Sequence, residues 1–294
     1  KRSVCIFSYI VTEIELIVQD IFLTETAELA DVVLPGASFA EKDGTFSGTD
    51  RRVQRVRKAV EPIGNSMPDW LILSKLISSM GYPSDYKSPE EIFNEIRTVT
   101  PSYAGITYGR IENEVISWPC PTEDHKGTPI LHIGKFSRGL GKFSAIEHRD
   151  PAEMPDKEYP LMLTTGRVVA HYHTGTMTRR CWGLNGTHPE ESIEINPVDA
   201  ANLNIEEGDE VSVTTRRGSL ITKAQVTTRV PEGLTFITFH FTENPGNILT
   251  NSAADPITQT PEYKVCSVNV KKLDFSDFGC QKRKIFKKET QNAV

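Results

Sequence analysis

The chain has 294 residues, of which 38% are hydrophobic and 24% charged, the balance of a globular protein of about two domains. Its formal net charge of −6 argues against a chain that binds nucleic acid or membrane surfaces as a whole. The apolar segment 4–23 carries Glu13, Glu15 and Asp20, which exclude a membrane span, and no signal-peptide pattern is present. We therefore expect a cytoplasmic chain without membrane contact.

The five cysteines are scattered along the chain and form no CxxC pair. An iron–sulfur cluster or structural zinc site built from this chain alone is therefore not expected. An odd, scattered set is typical of a reducing compartment, and we predict buried, reduced thiols. The set is Cys5, Cys120, Cys181, Cys266 and Cys280.

The first half of the chain alternates between strand and helix patterns. Residues 16–41 predict a strand, a short helix and a second strand that stops at Pro35-Gly36, with the first strand buried on both faces of a parallel sheet. Residues 68–82 predict a helix, because apolar residues recur there at helical spacing. Residues 88–99 predict another, with Ser88 as its cap. These elements indicate an α/β layer with helices flanking the sheet.

The pattern changes near residue 156. Residues 100–155 show little periodicity and predict a long connection, whereas 191–241 predict strand, helix, strand, hairpin and strand. A mostly β region of this kind favours a small closed barrel over a sandwich. We therefore predict domains at 1–155 and 156–273. Residues 274–294 lose the apolar pattern and are predicted to be a tail.

A basic run, "RRVQRVRK", occupies residues 51–58. It could bind a polyanion, or it could be a solvated helix or an edge strand. No aromatic residues interleave with its arginines, so stacking on single-stranded nucleic acid has no support. Charge and spacing leave both polyanion binding and a solvated helix or edge strand open.

Residues 165–180, "TGRVVAHYHTGTMTRR", are rich in histidine, glycine, threonine and arginine. On a strand, His171 and His173 would share one face, a geometry that can bind zinc, but no further ligands occur at the usual spacing. The alternative is a turn whose N–H and hydroxyl groups meet a phosphate or heterocycle, with arginine neutralising the charge. Neither GxGxxG nor Walker A is present. The run therefore predicts an anionic, nucleotide-like ligand and no metal.

Longer stretches carry a resemblance to a known family. These are "VQDIFLTETAELADVVLPGASFAEKDGTFSGTDRRVQ", "TTGRVVAHYHTGTMTRR", "INPVDAANLNIEEGDEV" and "LTNSAADPITQTPEYKVC". Together they resemble the C-terminal half of formate dehydrogenase catalytic (alpha) subunits, in the molybdopterin oxidoreductase, or dimethyl-sulfoxide-reductase, family. The resemblance covers about residues 16–273 and adds "WPCPTEDHKGTPILH" and "TPEYKVCSV", which favour formate over nitrate. It implies that the barrel is a double-psi β-barrel.

The resemblance also implies a cofactor and its contacts. The cofactor would be bis-molybdopterin guanine dinucleotide holding molybdenum or tungsten. Asp69 would accept guanine N–H groups, and the run from Thr165 to Thr174 would face phosphate and pterin. The implied contacts are Gln19, Asp20, Lys42, Asp69, Thr165, Gly166, Arg167, His171, His173, Thr174, Asn247 and Lys264.

Other parts of the family's machinery have no counterpart in this sequence. The catalytic cysteine or selenocysteine, its neighbouring histidine and the cysteines of a [4Fe–4S] cluster lie upstream in the family. We therefore assign no catalytic residue and expect this chain alone to be inactive. With the upstream part, formate would be oxidised to CO2, with electrons passing to an iron–sulfur or flavin subunit. Residues 1–15 and the tail depart from the family pattern, and "TFSGTDRR" replaces an asparagine-containing loop.

Two alternatives stay open at this point. One is a related molybdopterin reductase such as nitrate reductase, because such enzymes share most of these stretches. The other is a structural subunit that has kept the fold and lost the cofactor. The second is disfavoured because Lys42, Asp69, Asn247 and Lys264 are all present, and a decayed site has little reason to keep them.

Overall fold

The computed structural model describes residues 15–273, and the chain divides after Phe143 into two compact units. The domain boundary expected from the sequence, between 155 and 156, stays a prediction. Residues 1–14 and the predicted tail, 274–294, lie outside the described residues.

The first unit begins with a parallel pair of strands. Strand β1 (Ile17–Asp20) pairs with β2 (Val32–Pro35), and a 3-10 turn at Ala27–Leu29 stands where the short helix was predicted. The parallel pairing confirms the predicted α/β class. The predicted burial of β1 on both faces is wrong for this chain, because Ile17 and Val32 are 49% and 43% exposed. No third strand pairs with β1 or β2 in the part of the chain that the structure describes.

Two helices follow where the sequence predicts them, α1 (Asp69–Ser79) and α2 (Pro89–Val99). The Ser88 hydroxyl caps α2 by accepting the N–H of Glu91 at 3.3 Å, and the following proline suits the first helical position. Helix α2 buries Phe93, which belongs to the core of this unit. The cap and the apolar spacing explain why this helix forms here.

The predicted connection 100–155 is partly structured. Helix α3 (Tyr108–Ile111) and strand β5 (Ile116–Ser117) lie within it, so the prediction of an unstructured path is wrong for this part. Elements of four and two residues are too short to show periodicity in the sequence. The buried core that they build consists of Val53, Phe93, Ile106, Tyr108, Ile111, Ile116 and Cys120.

The basic run lies in a three-stranded antiparallel sheet of β3 (Gly44–Ser47), β4 (Arg52–Val56) and β5. Strand β4 carries most of the run and is the central strand, not an edge strand. Its Val53 is buried in the core of the unit.

The arginines of the run bind other parts of the same unit. The guanidinium of Arg51 donates to three backbone carbonyl oxygens, those of Trp118, Thr128 and Pro129. Glu112 forms ion pairs with both Arg55 and Arg57, at 3.0 and 2.7 Å. These contacts favour a structural role for the run over polyanion binding.

The second unit is a closed six-stranded barrel. Its strands are β6 (Leu161–Gly166), β7 (Ser192–Ile195), β8 (Glu210–Thr214), β9 (Ser219–Val226), β10 (Leu234–Thr238) and β11 (Cys266–Lys272). Around the barrel the order is β10-β6-β11-β8-β9-β7. The pairs β6–β10 and β7–β9 are parallel, and the other four are antiparallel. Closure leaves no sheet edge and confirms the predicted barrel, as expected for a double-psi domain.

Short helices and one hairpin complete this unit. Helix α4 (Trp182–Thr187) precedes β7, and α5 (Pro197–Asn202) follows it, capped by the Asn196 side chain. Strands β8 and β9 form the predicted hairpin, with Gly218 at its tip. Inside the barrel, the fully buried residues include Leu163, Ile193, Ile195, Val211, Val213, Ile237, Cys266 and Val268.

The cysteines follow the sequence prediction in part. Cys120 and Cys266 are buried free thiols, whereas Cys181 is a free thiol at an exposed position before α4. Cys5 and Cys280 lie outside the described residues. The prediction that every thiol is buried is therefore wrong at Cys181, which lies exposed between a 3-10 turn and α4.

Candidate functional site

A polar cluster lies in the first unit where β1 ends and α1 begins. Gln19 belongs to the end of β1, Asp69 is the first residue of α1, and Lys42 follows a 3-10 turn. Gln19 Nε2 donates to Asp69 Oδ1 at 2.7 Å, and the Lys42 ammonium pairs with Asp69 Oδ2. Three predicted cofactor contacts therefore lie together, although they come from positions up to 50 residues apart.

The backbone approaches this cluster closely at Gly36. Its N–H donates to the carbonyl oxygen of Asp20 at 3.0 Å. A Cβ at Gly36 would lie 3.2 Å from Asp69 Oδ1, which is tighter than most real contacts. Glycine thus keeps space beside the carboxylate, at the carboxyl end of parallel strands where α/β folds bind ligands.

Asp69 is ionised at neutral pH. Burial on its own would raise the pKa of Asp69, but hydrogen bonds from Lys42 and Gln19 outweigh burial and hold that pKa below its usual value. Each carboxylate oxygen has two lone pairs, so both can accept an additional N–H from a ligand. A cavity of about 260 Å³ adjoins the carboxylate, and its lining includes Phe46, Trp70 and Ile92.

Asp20 points its carboxylate into the following turn. Its Oδ1 accepts the backbone N–H of Phe22 at 3.0 Å. Among the residues predicted in this unit, Asp20 therefore serves the local turn, whereas Gln19, Lys42 and Asp69 share one network.

In the second unit, residues 166–174 form a loop after β6, called here the β6 loop. It begins at Gly166, where a Cβ would overlap the ring of Phe236 on the neighbouring strand β10. Only glycine therefore lets the chain leave β6 at this point without displacing that ring.

Arg167 projects from the start of the β6 loop and is exposed. Its guanidinium lies 5.7 Å from the ring centroid of Tyr172 and 5.6 Å from that of Phe239. These rings hold a cation by its attraction to the aromatic faces. Within residues 15–273 no carboxylate pairs with Arg167, so its charge is available to an anion.

Backbone donors are also available in the β6 loop. The N–H groups of Val169, Ala170, His173 and Thr174 have no acceptor in the part of the chain that the structure describes. Three of these four residues, Val169, His173 and Thr174, are exposed. Unbonded N–H groups beside a guanidinium fit the phosphate and heterocycle oxygens of a dinucleotide.

The two histidines of the β6 loop lie in a turn and do not share a strand face. Strand β6 ends at Gly166, and His173 has a φ of 48°, so the chain turns instead of extending. His171 is buried: Nδ1 accepts from Thr178 Oγ1, and Nε2–H donates to the carbonyl oxygen of His188. His173 is exposed with its ring against Tyr172. Of the pair, only His173 faces solvent.

The remaining predicted residues fall into two groups. Thr165 is buried and donates its hydroxyl to the carbonyl oxygen of Tyr263, while Lys264 Nζ donates to the carbonyl oxygen of Thr165 at 2.9 Å. Thr165 and Lys264 thus join β6 to the segment before β11. Thr174 and Asn247 are exposed, with the Thr174 hydroxyl bonded to Thr176.

Sequence reasoning missed His240, which is fully buried beneath the β6 loop. Its Nε2 accepts the N–H of Val168 at 3.1 Å, and its Nδ1–H donates to the carbonyl oxygen of His173. The run "FHF" after β10 is the only local signal, and it gives no hint of a partner 72 residues away. Burial lowers the pKa of His240, with further lowering from nearby His171 and Arg167.

An ion pair beside the β6 loop was also missed. Arg179 binds Glu243 through two guanidinium nitrogens, and its cation lies 4.7 Å from the Phe241 ring centroid. This paired geometry explains why the pKa of Glu243 is lowered. Arg179 therefore stabilises the loop region, in contrast to Arg167.

Within residues 15–273, no group of three or more His, Cys, Asp or Glu side chains is placed to hold a metal ion.

Over the same described range, no helix has the length and apolar character needed to cross a membrane.

Two family models match the chain. The molydopterin dinucleotide binding domain matches residues 161–267, which contain the β6 loop and nearly the whole barrel. The molybdopterin oxidoreductase model matches residues 12–79, which contain the polar cluster around Asp69. Both regions with available polar groups thus fall inside a matched segment.

Curated proteins and solved structures agree with these models. The chain is 54% identical over 262 residues to the F420-dependent formate dehydrogenase subunit alpha of Methanocaldococcus jannaschii, covering 88% of this chain and 39% of that protein. It is 40% identical over 283 residues to a nitrate reductase of Symbiobacterium thermophilum, covering 87% and 38%. The chain thus spans about two fifths of the length of the curated relatives it matches.

A solved structure shows the same fold. Acetylene hydratase from Pelobacter acetylenicus superimposes with a TM-score of 0.65 at 18% identity, covering 88% of this chain and 40% of that one. At this identity the likeness concerns the fold alone. The two matched family models and the identity to formate dehydrogenase alpha subunits show that the chain belongs to the molybdopterin oxidoreductase family.

Proposed function

We propose that the chain binds molybdopterin guanine dinucleotide and serves as the C-terminal part of a formate dehydrogenase catalytic subunit. The observation that carries this proposal is the β6 loop, where Arg167 has no acidic partner and several N–H groups have no acceptor among residues 15–273. A site shaped for a neutral ligand would not leave a cation and a row of donors exposed together. The loop lies in the segment matched to the dinucleotide binding domain.

Each unit would supply its own contacts to the cofactor. In the barrel unit, Arg167 and the N–H groups of the β6 loop would bind phosphate and pterin oxygens. His173 and Asn247, both exposed, would extend the contact surface. Lys264 would act through its bond to the Thr165 carbonyl, which fixes where the loop begins.

In the first unit, Asp69 would accept N–H groups of a guanine base. Gln19 and Lys42 hold its carboxylate in place and keep it ionised, because both donate to it. The polar cluster fits the ring donors of guanine, since carboxylate lone pairs remain beyond these two bonds. The bound cofactor, with molybdenum or tungsten, would supply two-electron redox chemistry that no side chain here provides.

Formate oxidation is proposed for the longer catalytic subunit. The formate dehydrogenase relative is 54% identical, and this chain spans 39% of its length. We propose that residues outside this chain supply the metal ligand and a [4Fe–4S] cluster, and that electrons pass to an iron–sulfur or flavin subunit. A cytoplasmic location stays a prediction.

A second candidate is nitrate reduction, which the 40% identity to a nitrate reductase favours. Both candidates use the same dinucleotide contacts, so Arg167 and Asp69 do not separate them. The substrates differ in chemistry: formate gives up two electrons, whereas nitrate accepts them. Activity assays with each substrate therefore decide between them.

The test joins this chain to the remaining region of a formate dehydrogenase alpha subunit in a host that makes the cofactor. Molybdenum, tungsten and acid-released guanine nucleotide are measured, followed by formate-dependent dye reduction and nitrate reduction. We expect metal, nucleotide and formate activity together. A folded complex without nucleotide would overturn the proposal, and nitrate reduction without formate oxidation would establish the second candidate.

A matched pair of variants sharpens this test. Arg167→Ala removes the unpaired cation of the β6 loop, whereas Arg149→Ala removes an exposed arginine of the segment before β6. A charged hydrogen bond contributes about 1.5–3 kcal/mol, so Arg167→Ala should release nucleotide about tenfold faster or more. Arg149→Ala should retain it as the parent does. Equal retention in both variants would remove Arg167 from the site.

A further inference from the structure

We propose that His240 is the positioning residue that sets the shape of the β6 loop for dinucleotide binding. It is fully buried, so it contacts the backbone of the β6 loop from beneath and is not itself exposed to a ligand. Its two ring nitrogens bind the backbone at both ends of the 168–173 segment. This inference rests on the proposed function, and it assigns the loop geometry to one imidazole.

The bonds define the protonation state of the ring. Nε2 accepts the N–H of Val168, so it carries no proton, and Nδ1 carries the proton that it donates to the carbonyl oxygen of His173. His240 is therefore a neutral imidazole with one donor and one acceptor. The two nitrogens on opposite sides of one rigid ring let the side chain accept from one end of the segment and donate to the other.

The bond at His173 restrains an unfavourable backbone. His173 has a φ of 48°, in the left-handed region that side chains other than glycine rarely adopt. Such a residue keeps this conformation only where its surroundings hold it. The imidazole does so through the His173 carbonyl, which leaves the N–H groups of His173 and Thr174 turned away from any acceptor among residues 15–273.

The groups around His240 favour its neutral form. Burial has the largest lowering effect on the pKa of His240, and the nearby His171, at 5.8 Å between ring centroids, Arg167 and His173 lower that pKa further. The hydrogen bond to the His173 carbonyl opposes them by favouring the protonated ring, and the net shift is downward. On the strand side, the backbone N–H of His240 donates to Thr238 Oγ1, and the Thr238 hydroxyl donates to the buried Glu191 carboxyl. His188, beyond His171, also has a lowered pKa through burial.

The pH dependence follows from these surroundings. The pKa of His240 is lower in the folded chain than the ordinary value of 6.5. Both hydrogen bonds of the His240 ring are therefore present above about pH 6.5. As the pH falls from there through the folded pKa, a proton binds Nε2 and removes the acceptor for the Val168 N–H. His188 contributes to stability with the same sign.

Two substitutions separate positioning from simple packing. His240→Phe keeps a ring and removes both bonds, whereas His240→Gln keeps an uncharged acceptor that does not titrate. Val268→Ala is the control: it opens a cavity in the barrel core at the Leu161 end of β6, away from the loop. All variants are made in the joined catalytic subunit described above.

The first measurement is the rate at which guanine nucleotide leaves the protein between about pH 5 and about pH 8, the range over which histidine titrates. We expect faster release from the parent as pH falls, release about tenfold faster from His240→Phe at every pH, and a flat profile from His240→Gln. Val268→Ala should melt earlier and keep the parental pH profile. Parental release from His240→Phe, or a parental profile from His240→Gln, would overturn the proposal.

The second measurement needs no cofactor. Hydrogen exchange at the Val168 amide of the 294-residue chain should be slow in the parent and much faster in His240→Phe, with Val268→Ala intermediate at most. Unchanged protection would refute the bridge itself. A parent that shows the protected amide but never holds nucleotide would refute the proposed function and leave the bridge established.

Discussion

Asp69→Asn perturbs the polar cluster with almost no change in shape. In the parent, Oδ1 accepts from Gln19 Nε2 at 2.7 Å, and Oδ2 accepts from the Lys42 ammonium. An asparagine amide must place its NH2 group against one of these donors, so one bond is lost and one ion pair disappears. The substitution therefore removes charge and one acceptor together.

The expected magnitude is modest for folding and larger for binding. Hydrogen bonds to charged groups contribute about 1.5–3 kcal/mol when buried. The Lys42 and Asp69 side chains are 23% and 44% exposed, so water screens this pair and a loss of about 1 kcal/mol in unfolding free energy is expected. A guanine base that donates to Asp69 would lose its anionic acceptor, and nucleotide release should quicken about tenfold.

Urea unfolding followed by tryptophan fluorescence measures the loss in unfolding free energy, and the rate of nucleotide release measures the loss in binding. Asp85→Asn is the control, because Asp85 is 94% exposed and only 3.9 Å from Lys87 in a solvated ion pair. The folded pKa of Asp69 is lowered, so its contribution is present above about pH 3.9 and is lost as pH falls through the folded pKa. Equal nucleotide release from Asp69→Asn and Asp85→Asn would refute the role of Asp69 in binding.

Two further predictions concern the barrel unit. Lys264→Ala removes the bond to the Thr165 carbonyl, so it should speed nucleotide release while lowering the free energy of unfolding by less than about 1 kcal/mol. The control is Lys223→Ala, which removes an exposed ion pair with Glu190. Equal nucleotide release from the two variants would contradict the role assigned to Lys264. Burial raises the pKa of Glu191, so above about pH 4.5 the folded state holds a proton that the unfolded state has released, and the free energy of unfolding falls as pH rises. Glu191→Gln should remove this dependence on pH. Urea unfolding at several pH values checks this, and an unchanged slope would contradict it.

Much of the fold could be predicted because its elements are long enough to repeat a pattern. Helix α2 shows a cap, a proline at the first position and an apolar face within eleven residues. Strands β8 and β9 alternate around a glycine turn. Helix α3 and strand β5 give no such repeat, yet they carry Ile111 and Ile116 into the core. Packing by distant residues decides elements that short.

The sequence predicts a set of cofactor contacts but carries no information on their geometry. Gln19, Lys42 and Asp69 were assigned to one role, and the structure places them in one network. His171 is buried and hydrogen-bonded to the His188 carbonyl, whereas His173, two residues later, is exposed. The left-handed φ at His173 is not visible in the sequence, because histidine adopts that region more often than most residues but still uncommonly.

Charge in the run 165–180 shows why partners matter more than composition. The sequence presents three arginines without distinction, but Arg179 is held by Glu243, and Arg180 donates to the Thr176 carbonyl. Arg167 is cradled by two aromatic rings and meets no carboxylate among residues 15–273. An arginine that is already paired must break a bond to meet a ligand, whereas Arg167 does not. Loss of Arg179 should therefore appear in folding stability, and loss of Arg167 in ligand retention.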